Sequence, residues 1–181
     1  MRTRRPSVVR ALVVAAVLAA AGCGAAAPAP VAPHPVSPAP ELSATDLAFL
    51  DLVIPQNETA LAALALVRPG SALRPLADQV APAYRAELAR VREVLTRAGR
   101  PESDQHDGHD MPGMVTAAEL AAAEHAPDPD DHLKSLLRNQ FEEARTVARS
   151  ALSAGTNATV VELGGCIDKT RETYLATLNA L

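Results

Sequence analysis

Tryptophan is absent from the 181-residue chain, which has only two tyrosines, two phenylalanines and two cysteines. β-Sandwiches and barrels draw on aromatic and β-branched residues, so this supply excludes an all-β core. Two cysteines do not staple a small disulfide scaffold. Basic residues are in the minority, 17 against 21 acidic ones, which excludes a general nucleic-acid binder. The length leaves room for one modest domain with appendages and excludes a large multidomain enzyme. Of the residues present, 48% are hydrophobic, many of them alanine, alongside leucine, arginine and glutamate. These residues lose least on entering a helix, and the composition predicts an all-α protein.

The N-terminus reads as an address. Arg2, Arg4, Arg5 and Arg10 form a basic region, and the apolar run from Val8 to Ala21 is too short to span a bilayer comfortably. The run ends in Ala20-Ala21-Gly22-Cys23, which resembles a bacterial lipobox, with Cys23 as the lipidated first residue after removal of residues 1–22. The usual leucine three residues before the cysteine is replaced by Ala20. An ordinary secretory signal cleaved near Ala21 or Gly24 is the competing reading. Processing at Cys23 leaves 13 basic and 21 acidic residues, a net charge of −8, so charge alone does not hold the mature chain on anionic lipid. A lipid on Cys23 supplies the membrane partner instead, at about 0.8 kcal/mol per buried CH₂. The expected location is the outer face of the bacterial cell membrane.

Residues 23–42 form an Ala/Pro-rich tether, with Pro28, Pro30, Pro33, Pro35, Pro38 and Pro40 forbidding helix and sheet ladders. The bundle is expected over 43–181. Ser43 to Asp46 offer a helix cap, followed by Phe49, Leu50, Val53, Ile54, Leu61, Leu64 and Val67 at helical spacing, with Pro55 inside. A second helix spans about 72–98 up to the Gly99-Arg100-Pro101 stop. Thr116-Ala117-Ala118-Glu119 has capping-box spacing and opens a short helix to about His125. A third long helix starts at Asp128, and a fourth runs from about Ala158 to the C-terminus, with Cys166 expected as a small buried residue.

The halves repeat. Leu73, Leu76, Val80, Leu88 and Val91 recur as Val160, Leu163, Ile167, Leu175 and Leu178 at a constant offset of 87. The preceding helices align at 83 or 84. Each hairpin has one apolar face to hide, and two together make a four-helix bundle.

From Asp46 to Ala60 the chain resembles the bacterial family called domain of unknown function 305. The resemblance continues in His106-Asp107-Gly108-His109-Asp110-Met111-Pro112-Gly113-Met114 and in Thr116 to Leu120, and spans about 44–180. It implies a ferritin-like bundle of two repeats, each with a His-His pair. In this chain the first pair is Gln56-Asn57, and the second is Asn139-Gln140 or, one residue on, Gln140-Phe141. Paired imidazoles are good ligands for transition metals, whereas carboxamide oxygens are weak neutral donors. An internal histidine metal site is therefore not expected. The carboxamides are expected to bond to one another across the core.

The remaining metal-ligating constellation is His106, His109, Met111 and Met114. Imidazoles three residues apart, followed by thioethers, suit copper in either oxidation state. The competing reading is a turn in which both methionines tuck against the bundle and the histidines stay in water. Catalysis is not expected: ferritin-type di-iron sites need Glu-x-x-His motifs, and none occurs at Glu58, Glu87, Glu142, Glu143 or Glu172. Glu58, Glu87 and the Glu142–Glu143 pair read as exposed charges, often near arginines at helical spacing, Glu87 with Arg90 and Glu142/Glu143 with Arg145/Arg149. The expectation is an exported, lipid-anchored, non-catalytic envelope protein with copper as the one cofactor suggested. The alternative is a metal-independent module presenting a helical face to an envelope partner.

Overall fold

The computed structural model describes residues 41–103, 106, 109 and 111–181; the signal, Cys23 and nearly all of the tether lie outside them. Five helices follow one another: α1 (Ala44–Ala65), α2 (Arg74–Arg97), α3 (Ala117–His125), α4 (Pro129–Ala154) and α5 (Ala158–Ala180). The described residues are all-α, and α1–α2 and α4–α5 are two hairpins packed through an α1–α4 contact. None of these helices is long and apolar enough to cross a membrane.

The helix starts follow the sequence chemistry. Ser43 caps α1 in a capping box with Asp46, and Thr116 does the same for α3 with Glu119. The Asp128 carboxylate accepts from the Asp130 and Asp131 amides at the start of α4, where Pro129 takes the first helical position. Asn157 caps α5 through the Thr159 and Val160 amides. Pro55 lies inside α1 without ending it, and Thr59 Oγ1 donates to the Pro55 carbonyl at 2.8 Å.

Burial sets the register of the repeat. Phe49, Val53, Gln56, Asn57, Ala60 and Leu64 of α1 are buried, and so are the residues 84 further on: Leu133, Leu137, Gln140, Phe141, Ala144 and Ala148. The pair equivalent to Gln56-Asn57 is therefore Gln140-Phe141. Asn139 is exposed and does not belong to the core, because one residue on a helix turns the side chain by about 100°. In the second helices the offset of 87 holds, from Leu76/Leu163 through Val80/Ile167 to Val91/Leu178.

Two apolar clusters build the core. One gathers Phe49, Val53, Val91, Leu95, Leu163 and Ile167; the other gathers Leu76, Val80, Leu133, Leu137, Phe141 and Leu178. Gly164 lets α5 approach α4, since a Cβ there would meet the Ala148 carbonyl at 3.1 Å and Ala151 Cβ at 3.2 Å. Gly165 has no such role, its nearest neighbour, Leu152 Cδ2, being at ordinary contact distance. Cys166, expected inside, is exposed. It follows the buried Gly164 by two residues on α5, which takes it off the packed face.

Candidate functional site

A polar layer lies between the two apolar clusters. Its centre is Arg171, which has no solvent-exposed surface despite carrying a guanidinium. Its two terminal nitrogens each donate at 2.6 Å to a different oxygen of Glu87, a bidentate pair in which Glu87 itself is 12% exposed. Asn57 completes a triangle: its carbonyl accepts from Arg171 at 2.9 Å, and its amide donates to Glu87 at 2.9 Å. The guanidinium carbon sits 3.8 Å from the centroid of the Tyr84 ring. Burial alone would favour a neutral arginine, but Tyr84 and the Glu87 carboxylate outweigh it and hold the group charged above its usual range.

Tyr84 then links this layer to α4. Its hydroxyl donates to Gln140 Oε1 at 2.6 Å, and burial pushes the phenol far above its ordinary pKa, so it acts only as a neutral donor. Gln140 Nε2 and Arg171 Nε find no partner among the described residues. Gln56 does not reach Gln140, contrary to expectation; it donates to the Pro112 carbonyl at 3.2 Å. The carboxamides thus bond to other groups than one another: Gln56 to the loop carbonyl, Asn57 to the Arg171–Glu87 pair and Gln140 to the Tyr84 hydroxyl.

Glu87 corrects the sequence reading in the same way. It was expected to be a surface charge beside Arg90, yet Arg90 pairs with Glu162 on α5 and Glu87 turns inward. Arg145 likewise bonds to Asp168 and Glu172 on α5, leaving Glu142 and Glu143 out of the expected pairs. Arg171 was missed altogether. Its signal was the repeat: it stands 87 residues after Tyr84, a position on the buried stripe of its hairpin.

The central loop is fastened from below. Met111 and Met114 close a turn, with the Met114 amide donating to the Met111 carbonyl at 3.0 Å. Pro112 and Gly113 occupy its middle, and Gly113 has φ 78°, the combination of a type II turn. A Cβ at Gly113 would come within 2.6 Å of Glu143 Cβ, so the turn lies directly on α4. Val115 donates to Thr59 Oγ1 at 3.1 Å. Of the four loop donors, Met114 is buried (8% exposed), Met111 and His106 are half-buried, and His109 is exposed. Asp51 of α1 feels the charge of His106 and Arg100, but burial outweighs both and raises its pKa. Among the described residues no three His, Cys, Asp or Glu side chains converge as a metal-binding group.

At the end of the bundle, Asp46 joins two helix starts. Besides closing the α1 capping box, its buried carboxylate accepts from Thr156 N at 3.1 Å, Thr156 Oγ1 at 3.0 Å and Asn157 N at 3.2 Å. Burial pushes this carboxyl up, and the bonds from Ser43, Thr156 and Asn157 together bring it below the ordinary aspartate value.

The sequence profile of one family, Domain of unknown function (DUF305), matches residues 46–181, which take in the two helical hairpins and the loop between them. The chain belongs to the DUF305 family. The crystal structure of a DUF305 fragment from Deinococcus radiodurans is similar, with 20% identity, a TM-score of 0.69, and coverage of 78% of this chain and 97% of that one. A DUF305 protein from Streptomyces coelicolor, named as a candidate secreted protein, gives a TM-score of 0.67 at 17% identity over 74% of this chain and 89% of that one. These similarities establish the fold. None of the curated proteins matches the chain.

Proposed function

We propose that this DUF305 protein is exported, anchored to the outer face of the cell membrane by lipid on Cys23, and non-catalytic, and that any copper it takes is held by the loop at His106, His109 and Met111. The observation that places any copper in the loop rather than the interior is the Arg171–Glu87 pair; export and anchoring rest on the N-terminal sequence. Where the family resemblance implies imidazoles, the interior holds a carboxylate already neutralised by a permanent cation, beside carboxamides and the Phe141 ring. A metal ion placed there would meet a like charge in a low-dielectric setting, and the residues present do not fit one. Met114 is committed to packing, which leaves the two histidines and Met111 as the soft and borderline donors nearest the solvent.

Two measurements test this. The mature 23–181 chain is titrated with Cu(I) and Cu(II) beside a variant in which His106, His109 and Met111 are alanine. Uptake of about one equivalent by the parent and its loss in the variant is expected; equal, negligible uptake by both ends the copper reading. Anchoring is read from the Cys23→Ser variant, which is expected to leave the membrane fraction; an unchanged distribution overturns the lipid assignment.

A further inference from the structure

The two repeats present equivalent grooves along the α1–α4 contact, and among the described residues only one of them is covered. In the second half, α3 packs on α4 and buries Ala123 completely, in a cluster that includes Ala63 and Leu133, with Leu66, Leu120 and Leu136 packed against it. Applying the offset of 84 to Ala63, Leu66, Leu133 and Leu136 gives Val147, Ser150, Phe49 and Leu52. Those four residues, with Thr45 and Ala48, line an open groove of about 240 Å³ at the other end of the same two helices.

The covered groove shows what chemistry fits the open one: nine residues of helix presenting a leucine and an alanine three apart, with a capping box at its start. In the first repeat, the positions equivalent to α3 are residues 33–41, which contain Pro33, Pro35, Pro38 and Pro40. Prolines at that density remove backbone donors and clash with the preceding turn, so this sequence does not supply the same helix. A polyproline ligand is a poor substitute, because such segments dock on aromatic-lined grooves and Phe49 is the single aromatic residue of this lining.

We propose that the groove between Ala48, Leu52 and Val147 is a docking site for a short amphipathic helix of a partner protein, presenting small and aliphatic residues three apart as α3 does on the equivalent face. The site is separate from the central loop and stands whether or not that loop takes copper.

The probe is a synthetic peptide of residues 116–126, held helical by a hydrocarbon staple between positions 118 and 122, both on the exposed side of α3. Pre-ordering removes the folding cost that a free peptide of this length would carry. It is titrated into the mature 23–181 chain with methyl groups observed by NMR. Saturable shifts confined to Thr45, Ala48, Leu52 and Val147, lost in Ala48→Arg and kept in Ala86→Arg, are expected. Ala48 and Ala86 are both exposed, so circular dichroism of the two variants is expected to match the parent.

Four results overturn the proposal. They are no saturable shift up to about 1 mM peptide, or shifts at Ala63 and Leu136 instead. The others appear without peptide: shifts at the groove methyls when residues 23–40 are removed, which would make the chain's own preceding segment the occupant, or shifts that depend on protein concentration, which would make it a second copy.

Discussion

Arg171 and Tyr84 occupy equivalent places in the two repeats and lie against each other, the guanidinium carbon 3.8 Å from the ring centroid. One duplicated position has become a cation and the other its aromatic platform. The same divergence separates Asn57 from Phe141 and Glu87 from Tyr174, so one repeat supplies the anion and amide while the other supplies two rings, 5.6 Å apart. Each repeat thus brings polar and aromatic groups to the layer, Asn57, Glu87 and Tyr84 from the first and Gln140, Arg171, Phe141 and Tyr174 from the second.

Breaking that layer from one side is expected to be costly. Arg171→Ala leaves the Glu87 carboxylate desolvated without a counter-charge, and a loss of about 3–5 kcal/mol in urea unfolding is expected. Changing both residues, Arg171→Met with Glu87→Leu, removes the two charges together and recovers most of the loss. A double variant as unstable as the single one would show that the pair is not the cause.

Acid sensitivity is assigned to Asp46. Its folded pKa is lowered, so it contributes stability that is present above its unfolded value of about 3.9 and is lost as the pH falls through the folded one. Asp46→Asn keeps much of the shape but not the charge. Unfolding midpoints measured from pH 6 down to pH 2 are expected to fall less steeply for this variant than for the parent; parallel curves would refute the assignment.

Two glycines with positive φ separate strain from collision. Gly99→Ala meets nothing within 4 Å at φ 64°, and about 1–2 kcal/mol of backbone strain is expected. Gly113→Ala adds a Cβ 2.6 Å from Glu143 Cβ, so its thermal midpoint is expected to fall further than that of Gly99→Ala. Equal losses would mean that the turn does not rest on α4.

Cys166 offers a direct check on α5. An exposed thiol is expected to react fully with a maleimide in the native protein, without denaturant. Protection until unfolding would place it on the packed face.

Much of the bundle was legible because it depends on local chemistry and spacing. Ser43 with Asp46 and Thr116 with Glu119 are capping boxes recognisable from four residues, and both form as expected. The repeat offset, drawn from leucines and valines, also located the buried stripe of each hairpin. What it did not reveal was which polar side chains would turn inward. Glu87 and Arg90 are three residues apart and look like a surface pair, but only Glu87 faces the α5 guanidinium. Asn139 and Gln140 are neighbours of similar chemistry, and one residue of rotation puts the first in water and the second in the core.

The sequence by itself determined the helices, their caps, the order of the two hairpins and the loss of imidazoles at positions 56, 57 and 140, because these depend on residue type and on spacing along one chain. Only the tertiary structure decided that Arg171 fills the interior, that Gln56 holds the loop and that, among the described residues, one of two equivalent grooves is left uncovered. A buried charge is tolerable only where partners from other helices meet it, and no spacing within a single helix encodes that meeting.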